Sequence, residues 1–389
     1  MKLHAASPQH LTYCLNIHPG EIWPDNFAAI QGPALEVARA VAGAAPFGLG
    51  LRLGAASAEE LARPFPLAAL KNFLAGENLY VFTINGFPYG RFHGAPVKEQ
   101  VYEPDWSHPL RLQYTRRLTD VLAGLLPEGM AGSISTVPVG FALRLAAPER
   151  RKAAQENLLD AVAYLARVER LTGREIHLGL EPEPACLLET TGECIRFFEE
   201  VLALAGPALE AQVRRHLGVC FDTCHVALAF EDLGEAWDRY RAAGMRISKV
   251  QLSAALQSDA TPQARQALSA FVEPVYLHQV RARLSDGSLK AWTDLPEALT
   301  EWPKSMQEAR IHFHVPLFWD ADGPLRSTTA TLTPAFWSRL QDGSCSHVEV
   351  ETYTFDVLPP ALRQRDVVAS ITEELKWVMG EMGRLGGLG

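Results

Sequence analysis

Carboxylate, imidazole and amide side chains stand at the ends of four short apolar runs between residues 178 and 354. The runs read LGLEPEP, CFDTCH, KVQLS and VEVETYT. Their polar residues are Glu181, Glu183, Asp222, His225, Lys249, Gln251, Ser253, Glu349 and Glu351. Carboxylates neutralise a divalent cation of the Mg, Mn, Co or Zn type and imidazole raises its affinity. A single acid at a strand end is usually a helix N-cap or the partner of an arginine, but four such ends together predict one shared metal site.

A parallel scaffold is needed to bring these ends together, and the sequence predicts one. Short runs rich in β-branched residues alternate with stretches of helical length, which is typical of a parallel sheet. The expected strands are residues 11–18, 47–53, 79–85, 133–139, 176–183, 217–223, 247–253 and 347–354. The expected helices are residues 28–41, 58–75, 110–125, 148–171, 193–204, 233–243 and 366–382. We therefore predict an α/β fold, the (β/α)8 TIM barrel, whose chemistry collects where the strands end.

Three connections are longer than a βα unit requires. Residues 86–109 (GFPYGRFHGAPVKEQVYEPDWSHP) are typical of an ordered active-site loop. Residues 254–346 form a long insertion between strands seven and eight, with a hairpin in 275–295 around the turn sequence SDGS and a further strand at 310–318. Residues 205–216 continue a helix. We expect residues 1–389 to form a single domain that contains the inserted segment.

Composition restricts the class of protein. The 389 residues carry 36 Lys+Arg and 45 Asp+Glu, a formal charge of −9, so a basic surface that tracks nucleic-acid phosphates is not expected. No run of about 18 apolar residues predicts membrane insertion, and the first twenty residues lack a signal-peptide core, so we expect a cytoplasmic protein. The six cysteines form no CxxC pair and are interpreted as reduced. Cys224, beside Asp222, is interpreted as a packing residue rather than a nucleophile.

The four motifs LGLEPEP, FDTCH, KVQLS and VEVETYT, in this order, resemble those of the xylose isomerase-like TIM barrels, a superfamily of sugar isomerases, ketose 3-epimerases and endonuclease IV. Seven segments also resemble the EboE metabolite traffic protein family of the Ebo operons. They are NIHPGE, EPDWSHPLRLQYT, CFDTCHVAL, KVQLSAAL, EPVYLHQV, IHFHVPLF and VEVETYTFDVLP, and they span about residues 10 to 365. That family name reflects genetic context, so it specifies no reaction.

By resemblance to the epimerases, a divalent ion (Mn, Zn, Mg or Co) would be held by Glu181, Asp222, a histidine of strand seven and Glu351. His225 would be the histidine that faces the substrate. The strand-seven position is Gln251, whose neutral amide oxygen is a weaker ligand than imidazole. His278, His312 and His314 of the inserted segment are possible replacements.

This site would support proton transfer between Glu181 and Glu351 on a small polyhydroxylated or carbonyl metabolite, giving isomerisation or epimerisation. Further substrate contacts are expected from polar and aromatic residues near the strand ends, namely His18, Asn85, Trp106, Lys249 and His278. Arg52 is a candidate counter-charge for Glu183 or Glu349.

Two other functions fit the same residues. The barrel could bind or pass on a metabolite without turnover, with other Ebo-operon proteins as partners. The acids could also serve a metal-dependent hydrolase, although the acidic charge disfavours DNA as its substrate. Oligomeric state is not predicted.

Overall fold

A computed structural model of the protein describes residues 1–3, 8–360, 363 and 365–386. Its strands, in chain order, are β1 His10–Tyr13, β2 Phe47–Arg52, β3 Leu79–Asn85, β4 Gly132–Thr136, β5 Ile176–Leu180, β6 Leu217–Asp222, β7 Arg246–Leu252, β8 Ala254–Asp259, β9 Val280–Leu284, β10 Leu289–Trp292, β11 Met306–Val315, β12 Ala321–Asp322, β13 Leu325–Ser327 and β14 His347–Val350. The eight strands expected from the sequence correspond to β1 to β7 and β14. The first is shorter than expected, because residues 15–17 turn into a 3-10 helix.

These eight strands form one parallel sheet in the order β1-β14-β7-β6-β5-β4-β3-β2. A parallel bridge between Cys14 and Gly50 joins β1 to β2 and closes the sheet into a barrel. Gly50 is required at this seam, since a Cβ atom there would lie 1.9 Å from Glu349 Oε1 and 2.9 Å from the Tyr13 carbonyl oxygen. The predicted TIM barrel is confirmed.

The α-helices of the described chain are α1 Trp23–Ala29, α2 Leu35–Ala42, α3 Ala55–Leu61, α4 Pro64–Gly76, α5 Pro109–Leu125, α6 Pro148–Thr172, α7 Thr191–His216, α8 Thr223–Leu228, α9 Leu233–Ala242, α10 Pro262–Leu268, α11 Leu295–Glu301, α12 Pro334–Leu340 and α13 Val367–Gly386. The expected helix 58–75 is two helices, because Pro64 starts a new one. α7 continues through 205–216 but breaks at Gly206, whose φ is 63°. Within the described residues, no helix combines the length and apolarity that crossing a membrane requires.

Between β7 and β14 the chain builds a second sheet in the order β10-β9-β11-β8-β13-β12. Its pairs are antiparallel, and the β9–β10 hairpin turns at residues 285–288, as its sequence predicts. The central strand β11 carries a bulge between Ile311 and His314. Bulges bend a strand and redirect its side chains, and this one lies where β11 reaches the mouth of the barrel. The assignment of residues 1–389 to a single domain, with 254–346 inserted in it, stays a prediction.

Candidate metal centre

The structure brings the predicted acids together at the carboxyl end of the barrel. Glu181 follows β5, Asp222 ends β6 and Glu351 follows β14, and all three are at most 3% exposed. One ligand atom each from Glu181, Asp222 and His225 lies within 4.8 Å of the others, and the same holds for Asp222, His314 and Glu351. Asp222 belongs to both sets, so the acids and imidazoles form one continuous cluster.

Asp222 has one oxygen engaged and one available. Its Oδ1 caps α8 by accepting the backbone N–H of His225 at 3.1 Å, and it accepts the Ser253 hydroxyl at 2.6 Å. The ordinary N-cap role of a strand-end acid is therefore present, but it uses only Oδ1. Burial opposes ionisation of Asp222, yet nearby His225 and His314 outweigh it and lower the pKa.

The two flanking glutamates behave differently. Burial raises the pKa of Glu181 well above its usual value and Asp222 adds to the effect, while burial and Glu181 do the same for Glu351. The carboxamides of Asn16 and Asn85 both donate to Glu351 Oε1, at 2.8 and 3.1 Å, and fix that carboxyl. These acids favour the protonated state unless a cation compensates their charge.

Two imidazoles reach the cluster from the second sheet rather than from the barrel. The bulge in β11 turns His312 and His314 toward the barrel, while Phe313 packs on Phe271 with ring centroids 5.0 Å apart. His314 Nδ1 lies 2.9 Å from the carbonyl oxygen of Glu351, and His312 Nδ1 lies 2.7 Å from Gln279 Oε1. Each ring thus donates through Nδ1 and presents Nε2 to the cluster, which is how protein carbonyls orient metal-binding histidines.

His225 completes the imidazole group from α8. Its Nε2 is 3.0 Å from His312 Nε2, and its Nδ1 is 3.9 Å from Asp222 Oδ1. Burial lowers the pKa of His225 to about 4, so the ring is neutral near pH 7. A neutral imidazole can act as a ligand or as a hydrogen-bond partner of a substrate oxygen.

Gln251 lies inside the barrel on β7 and is fully buried. Its Oε1 accepts the Cys220 thiol at 2.8 Å, which uses the atom that a metal would need. His314 has the vacant nitrogen instead. Among His278, His312 and His314, the set that contains Asp222 and Glu351 includes His314, from strand β11, and which histidine binds a metal stays a prediction.

A divalent cation suits the buried atoms at this site. No described residue hydrogen bonds to Glu181 Oε2, Asp222 Oδ2 or His314 Nε2, although all three atoms are buried. Buried polar atoms without partners are costly and rare in native proteins. A cation between Asp222, His314 and Glu351 would satisfy two of these atoms, Asp222 Oδ2 and His314 Nε2, so the donor set fits a metal.

Two further charged residues have structural partners. Lys249 forms a fully buried ion pair with Glu349 inside the barrel, below the cluster. Arg52 does not pair with Glu183 or Glu349 as expected. It pairs with Glu21 at 3.1 Å and donates to the Gly20 carbonyl, because β2 points its side chain toward the loop after β1.

A small cavity lies above the cluster. Its polar lining comes from Asn16, Asn85, Lys98, Glu181, Glu183, His225, His312 and Glu351. Burial raises the pKa of Glu183 to about 8. The aromatic lining of the cavity comes from Phe87, Phe92, Tyr102, Tyr276 and Tyr353. Three of those aromatics, Phe87, Phe92 and Tyr102, belong to the connection 86–109, whose role as an active-site loop stays a prediction.

Several residues predicted to contact substrate do not reach this cavity. His18 bonds Tyr13 at 2.8 Å and lines a separate surface groove. Trp106 is fully buried and its indole donates to Thr136 Oγ1 at 3.2 Å, which fastens the loop to the barrel. Both ring nitrogens of His278 are engaged, by the His312 carbonyl and by Glu273. Lys249 is held by Glu349. Of the predicted contacts, only Asn85 lines the cavity.

Tyr102, Tyr276 and Tyr353 line the cavity and were not expected there. Tyr353 directly follows the VEVET motif, so its position after the strand-eight acids was a usable signal. Tyr276 comes from the inserted segment, where sequence spacing alone gives no indication of which side chains reach the barrel mouth.

Burial raises the pKa of the Cys224 thiol well above its usual value, which disfavours a thiolate nucleophile.

No family model and no curated protein matches the sequence. Many solved structures share its architecture. A xylose isomerase-like TIM barrel protein from Mycobacterium smegmatis in complex with magnesium has a TM-score of 0.55 at 11% identity, with 99% of each chain covered. The IOLI protein with a zinc atom has a TM-score of 0.51 at 11% identity, covering 97% of this chain and 99% of its own. A xylose isomerase domain protein from Planctomyces limnophilus has a TM-score of 0.50 at 13% identity, with 98% of each chain covered. The chain therefore has the xylose isomerase-like TIM-barrel fold.

Proposed function

We propose that this protein is a metal-dependent isomerase or epimerase that acts on a small polyhydroxylated or carbonyl metabolite. The observation that carries the proposal is that Glu181 and Glu351 meet at one cavity from β5 and β14, strands that β6 and β7 separate. Carboxyls that approach a substrate from different sides can remove a proton beside a carbonyl and return one to another position or face.

Glu181, Asp222, His314 and Glu351 would hold the divalent ion, which we expect to be Mn, Zn, Mg or Co. When bound, the ion supplies Lewis-acid stabilisation of negative charge on substrate oxygens. Asn16 and Asn85 keep Glu351 in one orientation by donating to the same oxygen.

The cavity lining indicates how the chain would position such a substrate. His225 faces the cavity and would contact a substrate oxygen. The rings of Phe92, Tyr276 and Tyr353 pack on one another with centroids 5.1 to 5.5 Å apart and cover the cavity. This aromatic cover would exclude water, which strengthens electrostatic interactions between the polar groups beneath it.

The resemblance of the ordered motifs to the EboE family supports a narrower proposal. We propose that the protein is EboE-like and takes part in metabolite traffic with other Ebo-operon proteins, in the cytoplasm. The shift of the histidine ligand from β7 to β11 supports a substrate different from those of the sugar epimerases, because β11 and its sheet cover the barrel mouth.

Hydrogen exchange at carbon tests the proposed reaction without knowledge of the product. The full-length protein, loaded with Mn²⁺ or Zn²⁺, would be incubated with a panel of ketoses, aldoses and hydroxyketones in D₂O and followed by NMR. We expect deuterium to enter beside the carbonyl of at least one compound. Glu351→Gln and Glu181→Gln should each abolish this exchange, whereas Glu210→Gln on the exposed side of α7 should preserve it.

Other outcomes of this experiment would support the alternative functions, a binding barrel or a hydrolase. A compound that binds tightly but shows no exchange would indicate the binding barrel. Release of an acid, alcohol or phosphate would indicate the hydrolase. Exchange that persists at full rate in both glutamate variants would overturn the two-glutamate mechanism.

A further inference from the structure

The cluster contains more ligand atoms than one catalytic ion uses. Beside the two sets that share Asp222, a third set consists of Cys224, His225, His312 and His314, with one ligand atom from each within 4.8 Å of the others. Catalytic zinc sites usually have three protein ligands and an open position. With His314 assigned to Asp222 and Glu351, the residues Cys224, His225 and His312 remain, which is enough for a second ion.

These three side chains come from two elements that the fold holds against each other. Cys224 and His225 lie on α8, and His312 lies on β11, which packs on α8. The backbone N–H of Cys224 donates to Ser253 Oγ at 3.0 Å, so the start of α8 is fixed relative to the carboxylate site. The three residues are at most 4% exposed.

The imidazole pair has the arrangement of two ligands of one ion. Gln279 Nε2 donates to the Pro184 carbonyl at 3.2 Å, so Gln279 Oε1 faces His312 Nδ1 and fixes the proton there. The lone pair of His312 Nε2 therefore points at His225 Nε2, 3.0 Å away. Two imidazole nitrogens that converge in this way can share one proton or bind one cation.

We propose that Cys224, His225 and His312 form a second metal site, of thiolate and imidazole ligands, that takes zinc or a similar borderline ion beside the carboxylate site. Thiolate and imidazole select such ions, whereas the carboxylates also suit harder ones. A coordinating thiol loses its proton outright, so the neutral buried state of free Cys224 does not oppose binding. In the two-ion form His225 is a ligand rather than a substrate contact. The site does not depend on the proposed isomerase reaction.

Cobalt reports thiolate ligation directly. The full-length protein would be stripped with a chelator and titrated with Co²⁺, because a thiolate ligand gives Co²⁺ a near-ultraviolet charge-transfer absorption that oxygen and nitrogen ligands do not. We expect this absorption in the wild type and about two equivalents of bound ion. Cys224→Ser and His312→Gln should each lose the absorption and about one equivalent. Cys220→Ser is the matched control, since its thiol lies on the neighbouring strand β6 and donates to Gln251 Oε1; this variant should keep both the absorption and the two equivalents.

Glu181→Gln separates this inference from the proposed function. It should lose the deuterium exchange described above and weaken the carboxylate site, while the charge-transfer absorption persists. No charge-transfer absorption at saturation, or an absorption that survives Cys224→Ser, would each overturn the second site, whereas a single equivalent that shows the absorption would count against the carboxylate site instead. Elemental analysis for zinc on the same four variants and the wild type gives the stoichiometry independently of the spectrum.

Discussion

His314 Nδ1 lies 2.9 Å from the backbone carbonyl oxygen of Glu351, so the second sheet and the eighth barrel strand are joined at the metal cluster. A carbonyl oxygen only accepts hydrogen bonds, so Nδ1 of His314 carries the proton and Nε2 is free to bind a cation. The same contact sets the position of Glu351 and of the imidazole together. The segment between β7 and β14 therefore places an imidazole nitrogen without a hydrogen-bond partner among the described residues at the barrel acids.

His314→Ala is expected to weaken binding of Zn²⁺ or Co²⁺ by more than about 100-fold, because it removes a ligand rather than a group that orients one. Competition with a chromophoric chelator measures this affinity. Gln251→Ala is the matched control, since Cys220 holds the amide oxygen, and it should leave the affinity nearly unchanged. If Gln251→Ala were the more damaging of the two, the strand-seven amide would be the ligand.

Ser253→Ala is expected to weaken metal binding by about 10- to 100-fold without removing any ligand. Ser253 donates to Asp222 Oδ1 at 2.6 Å, and losing this bond frees the carboxylate to rotate. Ser258 on β8 is a suitable control, because its hydroxyl is buried and bonds none of the described residues. Ser258→Ala should keep the wild-type affinity. Equal affinities for the two serine variants would show that Asp222 does not need this support.

The strand-end acids were predictable because periodicity and the parallel topology together fix where they lie. Glu181, Asp222 and Glu351 each end or follow a short buried run, and a barrel leaves such ends on the same face. The contribution of His314 was predictable only as one of three candidates. Its choice depends on the β11 bulge, which sets the direction of side chains and has no distinctive local sequence.

The partners of buried charges were not predictable from spacing. Arg52 was expected to neutralise Glu183 or Glu349, but the length of its side chain lets it reach Glu21 in the loop after β1. Lys249 was expected to contact substrate and instead pairs with Glu349. Both outcomes depend on which strand or loop lies within reach of a long side chain, and this requires the folded arrangement of the barrel and its loops.

Lys249→Met is expected to lower the free energy of unfolding by about 3 to 5 kcal/mol, because it leaves the Glu349 charge buried without a partner. Urea denaturation followed by tryptophan fluorescence measures the change. Adding Glu349→Gln to Lys249→Met should restore part of the loss, since no isolated charge then remains. Lys290→Met breaks an exposed ion pair with Glu301 and should cost much less, because water screens the charges of exposed pairs. Similar losses for the buried and exposed lysines would contradict the buried-pair interpretation.

Glu374→Gln is expected to stabilise the protein above pH 7. Glu374 on α13 accepts the Leu317 N–H at 3.0 Å and the Thr352 hydroxyl at 2.7 Å, and burial raises its pKa to about 7. The folded state therefore retains a proton that the unfolded state, with a pKa near 4.5, releases. Wild-type stability consequently falls as the pH rises from about 4.5 to about 7, and the loss persists above that range.

The difference between the folded-state and unfolded-state pKa values of Glu374 lowers the free energy of unfolding of the wild type by about 3 kcal/mol at pH 8. Gln keeps an acceptor oxygen for both hydrogen bonds but carries no charge, so this variant should lack that part of the pH dependence. Denaturation curves at pH 5 and pH 8 measure it, and the gap between variant and wild type should be small at pH 5 and large at pH 8. Glu373→Gln, at the exposed neighbouring position, should follow the wild type at both pH values. Parallel stability profiles for Glu374→Gln and the wild type would mean that Glu374 titrates as an ordinary surface acid.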